Sequence, residues 1–344
     1  MTNDISEDSI LKGKNLIFLI SQPRAGSTLT QRMLGSHSEI HTVSEPWLML
    51  HPFYALRSEG YEVEYNTQWA RDAVQGFIND IPEGEESYFN GLRRMYSYLY
   101  SCATIPSGKR YFLDKTPRYY FIISELYKTF PEAYYIILIR NPLAVLCSMI
   151  NTWTQDDWFK LHLYKHDLLE APVRLLNSIN QLKNNCIVLH YEWLLLNPEW
   201  EMSKICSWLG VDFLPEMINY GKVKDCPAWR YGDQNKVYQQ TKPDPLNVDR
   251  WVLDLEKPQI WRLANDYLEF LGAEQFIQLG YSYEEMRDVL DSKRPHWQDL
   301  WNTIPLDILL ANPQERESWK EEQYFAKLIS SIALLNRQET KSND

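Results

Sequence analysis

No apolar run in these 344 residues approaches the ~18 needed to cross a bilayer. The opening stretch MTNDISEDSILKGKN is polar and acidic, without the apolar core of a secretory leader. These absences set the expectation of a cytoplasmic chain with no integral membrane segment. Cysteine is scarce. Cys102, Cys147, Cys186, Cys206 and Cys226 are odd in number and form no CxxC pair, which argues against a disulfide framework and predicts reduced thiols packed as small hydrophobes. A basic excess is missing too: the formal net charge of −11 speaks against general affinity for nucleic acid or anionic lipid. It leaves room for a local basic pocket. His162 and His166 are spaced i, i+4, but no carboxylate or cysteine joins them in an HExxH-like pattern, so they read as a solvated helix face and no metal is expected. Internal repeats and low-complexity tracts are also missing.

What is present is an ordinary globular composition, 44% hydrophobic and 24% charged, rich enough in Trp and Tyr for a large core with aromatic-lined pockets. Apolar runs at Asn15–Ser21, Ile40–Glu45, Arg110–Asp114, Ala133–Arg140 and Cys186–Tyr191 read as strands, the first buried on both faces. Helical patterns lie between them at Thr28–Ser36, Gln68–Asn79, Glu86–Cys102, Arg118–Phe130, Leu143–Thr152 and Asp157–Lys183, with others at Asn197–Leu209 and near Lys257–Leu271. This alternation predicts an α/β fold of three layers, a central parallel sheet of about five strands flanked by helices. Residues 1–284 are expected to form the main domain. From 285 to 344 the chain turns polar and helical, with Trp297, Trp301 and Trp319 at intervals, and is expected to form an accessory helical layer or a dimer element.

The stretch SQPRAGSTLTQRML, Ser21 to Leu34, follows the first strand and opens a helix. Against the phosphate-loop pattern GxxxxGK[ST], Gly26 and Thr28 fit, while Ser21 replaces the first Gly and Ser27 the Lys. The positive charge has moved three residues upstream of Ser27, to Arg24. A strand–loop–helix junction of Arg24, Ala25, Gly26, Ser27 and Thr28 still offers backbone amides, hydroxyls and a guanidinium to an anion. Such a P-loop-like site suits a phosphate or phosphosulfate better than Mg-nucleoside triphosphate hydrolysis. The alternative is plain N-cap chemistry by Ser and Thr.

A second pair of residues sits deeper in the chain. The strand AYYIILIR ends at Arg140, Pro142 opens the next helix, and Ser148 follows eight residues after Arg140. Together they could grip one phosphate; alternatively Arg140 is an ion-paired strand end and Ser148 a surface hydroxyl. Two anion sites on one sheet imply a ligand with two separated phosphate groups.

At this point the sequence resembles the sulfotransferases that use 3′-phosphoadenosine 5′-phosphosulfate (PAPS). PRAGSTLTQRML is similar to their 5′-phosphosulfate loop and IRNPLAVLCSM to their 3′-phosphate signature. VLHYEWLLLNPEWEMSKICSWLGVDF, DKTPRY and KPDPLNVDRW extend the likeness over roughly Asn15 to Tyr283, closest to the tyrosylprotein and bacterial branches. The resemblance implies PAPS as sulfuryl donor and cofactor contacts from Arg24 through Thr28, Arg140, Ser148 and the adenine-side Tyr191. It implies Glu45 as general base, with His37 and His41 as rivals, and Lys115 as a second positive charge beside Arg24. Asp249 departs from the tyrosylprotein pattern, which places a hydroxyl residue two positions before Trp251, so Trp251 is expected to pack. The acceptor implied is a hydroxyl of an unidentified small molecule, lipid or saccharide, and a homodimer is admitted. A kinase or phosphotransferase, or a non-catalytic nucleotide-binding protein, are the competing readings.

Overall fold

In the computed structural model, residues 11–43, 45–155, 157–222 and 240–312 are described. Five strands form one parallel sheet: β1 (Leu16–Ser21), β2 (Ile40–Thr42), β3 (Tyr111–Lys115), β4 (Tyr134–Ile139) and β5 (Cys186–His190). Their order across the sheet is β2-β3-β1-β4-β5, each neighbouring pair parallel. Every residue of β1 is buried. The pleat divides them: Ile17 and Leu19 enter one core with the helices Pro142–Met149, Pro198–Leu209 and Pro258–Gln278. Leu16, Phe18 and Ile20 enter the opposite core beside Phe112, Tyr135 and Phe130. The unbroken apolar runs are therefore the sequence's answer to having both faces covered. The α/β class and the five-stranded parallel sheet are as the sequence led one to expect.

The topology fixes where a ligand fits. From β1 the chain moves outward to β2 and returns through β3 on one side, then crosses to β4 and β5 on the other. Such a reversal opens a crevice at the carboxyl ends of the central strands.

Several elements differ from the sequence reading. β2 stops at Thr42, so Glu45 lies three residues beyond the strand, outside any regular element. The stretch expected as one helix from Asp157 to Lys183 is broken into a 3-10 segment Trp158–Tyr164 and two helices, Lys165–Leu169 and Ala171–Leu182. Pro172, in the first turn of the last of these, lacks the amide that a continuous helix would require. His162 and His166 consequently do not share one helix face: His162 Nδ1 contacts the Phe159 carbonyl and His166 the Glu170 carboxylate. The helix Pro142–Met149 runs on as a π turn over Ile150–Thr154, a widening that is frequent beside functional sites. Cys147 and Cys206 are buried as expected, Cys102 is exposed, and Cys226 and Trp319 lie outside the described residues. The helix Tyr283–Ser292 passes through position 285, and its Leu290, with Leu306 and Leu309, joins the first core. No helix among the described residues is long and apolar enough to cross a membrane.

Candidate active site

Each of the five strands delivers one of the sequence-selected residues at or just past its carboxyl end: Arg24 after β1, Glu45 after β2, Lys115 closing β3, Arg140 after β4 and Tyr191 after β5. Four of them, Arg24, Glu45, Arg140 and Tyr191, line a cavity of about 300 Å³ together with Gly26, Ser27, Thr28, Ser148, Trp47, Arg118 and Trp153, and the Arg24 guanidinium carbon lies 5.9 Å from the Trp153 ring centroid. Ala25 is fully buried beneath the loop, and neither it nor Lys115 lines the cavity.

The loop after β1 has a backbone geometry that could offer donors to an anion. Gly26 is the N-cap of the helix Ser27–Gly35, with φ of 101°, and that helix has no side-chain cap. Capping by Ser or Thr therefore does not account for the motif, and the first-turn amides at the positive helix end face the cavity without a capping hydroxyl. Two constraints require glycine at position 26. Its φ lies in the left-handed region, and a Cβ there would come within 2.3 Å of the Tyr191 ring. Arg24 also adopts a positive φ, of 70°, an uncommon conformation for a side-chain-bearing residue.

The two phosphate motifs meet in space. Arg140 donates from Nη1 to the Arg24 carbonyl oxygen at 2.9 Å, and Arg24 donates from Nε to Ser148 Oγ at 3.3 Å. Arg140 also lies over the Tyr191 ring, 4.3 Å from its centroid. Its buried Nε has no hydrogen-bond partner, and among the described residues no ion pair neutralises this guanidinium. A buried charged donor without a partner is costly unless a ligand supplies the acceptor. These features fit a nucleotide carrying two anionic groups.

Around Glu45 the charges are already paired. Lys115 Nζ, fully buried, donates to Glu45 Oε1 at 2.5 Å, and Trp47 Nε1 donates to Glu45 Oε2 at 3.1 Å. Burial lowers the Lys115 pKa, and the adjoining Glu45 charge only partly offsets that effect. Lys115 is thus the last residue of a strand rather than a loop lysine, and it reaches the cavity through Glu45. Behind it, Asp114 accepts from Tyr100, Tyr119 and Thr116 hydroxyls at 2.6, 3.0 and 2.8 Å. Burial raises this carboxyl to about 6 despite those donors.

The rival bases are placed elsewhere. His37 is buried and spanned by two contacts, its Nδ1 accepting from the Glu39 amide and its Nε2 meeting the Asp212 carbonyl. His41 packs on Phe112 and its pKa is lowered, chiefly by burial. Neither lines the cavity. Trp251 is buried in the core, as expected, and Asp249 precedes a 3-10 turn.

Sequence reasoning passed over Trp47, Arg118, Trp153 and Asp167. Arg118 stood inside the quoted DKTPRY motif and Trp47 two positions after Glu45, so proximity to the chosen residues was the available signal. Asp167 offered none, because only the break in the expected helix turns it toward Arg118.

A sequence profile described as "Sulfotransferase family" matches residues 16–215. Nodulation protein NoeE of Sinorhizobium fredii is 26% identical over 299 residues, covering 79% of this chain and 68% of that protein. Protein-tyrosine sulfotransferase A of Caenorhabditis elegans is 24% identical over 283 residues, covering 77% and 71%. Among solved structures, the sulfotransferase domain from the curacin biosynthetic pathway aligns with a TM-score of 0.45 and 21% identity, covering 68% of this chain and 89% of that one.

Proposed function

The chain belongs to the sulfotransferase family, and from that premise we propose that it moves the sulfuryl group of PAPS to an acceptor hydroxyl. The products are a sulfate ester and 3′-phosphoadenosine 5′-phosphate (PAP). The observation that carries this reading is the meeting of the two arginine motifs at one cavity, with Arg140 Nε buried and unbonded. A single phosphate would need only the first loop; the second donor set asks for a second anion.

PAPS, once bound, supplies an activated sulfur joined to a phosphate leaving group. The amides of the Ser27 helix end and the Ser27 and Thr28 hydroxyls hold the 5′ group, while Arg140 and Ser148 hold the 3′-phosphate. Arg24, whose guanidinium contacts Ser148 in the free protein, stabilises charge on the bridging oxygen as the bond breaks. Glu45 takes the acceptor's proton. The acceptor oxygen–sulfur bond forms as the sulfur–oxygen bond to the 5′-phosphate breaks, and that bonding pair leaves with PAP. Lys115 and Trp47 fix the carboxylate's two oxygens, so the base is oriented before the acceptor arrives. Tyr191, held beneath Arg140 and against Gly26, offers its ring to the nucleotide side.

Calorimetric titration with PAP, ADP and Mg-ATP tests the assignment. Tight binding of PAP alone is the expected result. Equal or tighter binding of ADP or Mg-ATP would make the second anion site irrelevant and overturn the reading.

A further inference from the structure

The side of the cavity that carries Glu45 holds a second constellation, outside the residues assigned above to the nucleotide. Arg118 donates from Nε to Asp167 Oδ1 at 3.1 Å and from Nη2 to Asp167 Oδ2 at 2.6 Å, a bidentate pair. Asp167 is buried and also accepts from the Tyr120 hydroxyl at 2.7 Å, so the guanidinium plane is fixed from behind. The Gln22 amide, next to the phosphate loop, donates to the Asp167 carbonyl at 2.7 Å and ties this helix to β1. Arg118 makes no other hydrogen bond among the described residues, which leaves the two Nη1 protons and one on Nη2 for the cavity that it lines. Two indoles flank it: its guanidinium carbon lies 5.6 Å from the Trp47 ring centroid and 5.9 Å from that of Trp153. Trp153 is itself backed by Tyr164, stacked at 4.5 Å and 29°. Trp47 is held at a positive φ of 54° and bonded to Glu45, so the aromatic wall and the base form one unit.

We propose that Trp47, Trp153 and the Arg118–Asp167 pair form the acceptor subsite, and that it selects an uncharged sugar ring with neighbouring hydroxyls. The inference rests on the sulfotransferase reading above. Three features of the wall support it. Arg118 is paired with Asp167 and Lys115 with Glu45, so neither of these cations draws an acidic acceptor by uncompensated charge. The wall's indoles offer flat apolar surface to the C–H face of a pyranose. Its free donors sit beside the base, so one hydroxyl can give its proton to Glu45 while the adjacent one accepts from Arg118. A simple phenol would fill the first role and leave the second donor set dry and unbonded, at a cost. Asp167 is a positioning residue, acting through Arg118.

The experiment offers labelled PAPS and an array of neutral oligosaccharides, uronic-acid oligosaccharides, glutamate-flanked tyrosine peptides and 4-nitrophenol to the full chain. Neutral oligosaccharides should be labelled at least tenfold more efficiently than the other classes. For the best neutral probe, Arg118→Lys should raise KM at least tenfold with kcat within about threefold, because Lys cannot reproduce a bidentate planar fork. Trp153→Phe, which keeps an aromatic ring, should weaken calorimetric binding of that probe to the PAP-loaded protein about threefold. PAP affinity should stay within twofold in both variants, showing that each is folded. Preference for peptide, phenol or acidic glycan, labelling of no neutral glycan, or an unchanged KM in Arg118→Lys, each with PAP binding intact, overturns the acceptor assignment alone. Loss of preference for PAP over ADP in the unmodified protein overturns the reading beneath it.

Discussion

Arg140, at one end of the cavity, donates to a backbone carbonyl, whereas Lys115 and Arg118 are closed onto carboxylates. The buried Nε of Arg140 is left unbonded, and the carboxylates that close the other two cations are Glu45 and Asp167. On the function proposed above, the difference would let one small space treat two substrates differently. A wall with unspent donors draws a multiply charged ligand and gains most of its charge-assisted bonding only when that ligand is present. A wall with neutralised pairs is organised in advance and spends its geometry on orientation rather than attraction.

Substitutions can break this contrast from either side. The largest effect is expected for Arg24→Ala and Glu45→Gln, each lowering kcat by about 1,000-fold. The two should separate in binding: PAP affinity stays within about threefold in Glu45→Gln and falls further in Arg24→Ala, as read by calorimetry beside single-turnover transfer. If Glu45→Gln keeps full turnover on an aliphatic alcohol, the base has been wrongly assigned. Next comes Arg140→Ala, which should weaken PAP roughly 30-fold, about 2 kcal/mol, while kcat at saturating donor changes less. An unchanged PAP affinity would remove the second anion site. Gly26→Ala should reduce PAP binding about tenfold, since the added methyl meets the Tyr191 ring and a left-handed φ. Measured in a Tyr191→Ala background, which itself loses the ring assigned to the nucleotide, the glycine change should cost less; an equal cost there would mean the backbone conformation alone is responsible.

The smallest expected effect lies behind the paired wall and is one of stability. Asp114 is raised to about 6 by burial, above the ordinary value of 3.8. A carboxyl whose folded pKa is raised binds its proton more tightly when folded, so its contribution is fully present below about 4 and is lost as pH rises through about 6. Relative to Asp114→Asn, the unmodified protein should therefore gain roughly 2 kcal/mol in urea-unfolding stability between pH 7.5 and pH 4.5. A flat difference across that range would show that Asp114 titrates normally.

Much of this organisation was legible in the chain itself. Continuous apolar runs such as LIFLIS and YYIILI marked strands, because a strand covered on both faces cannot alternate. The placement of the loop and of Arg140 at strand ends was readable from local patterns, whereas Glu45 and Tyr191 were singled out chiefly through the family resemblance. The partner of each charge was not readable. Lys115 looked like a loop cation and is a buried strand residue; Arg118 looked like part of a motif and is clamped by Asp167, 49 positions away. Cys102 was expected to pack and is exposed, since one thiol in a helix carries no signal of which side faces the core.

The sequence by itself determined that five strands would form, that a glycine would kink the loop between the first strand and its helix, and that Arg24 and Arg140 would stand just past strand ends. Those are properties of short segments, set by backbone sterics, side-chain alternation and helix-end chemistry. Only the tertiary structure decided that the strands would line up as β2-β3-β1-β4-β5 and bring all five carboxyl ends to one crevice. Only it decided that Lys115 and Arg118 would be closed by carboxylates and that the buried Nε of Arg140 would be left unbonded. Local preferences act over a few residues, whereas charge pairing depends on distance in space, and that distance is set by how the crossovers return the chain to the sheet.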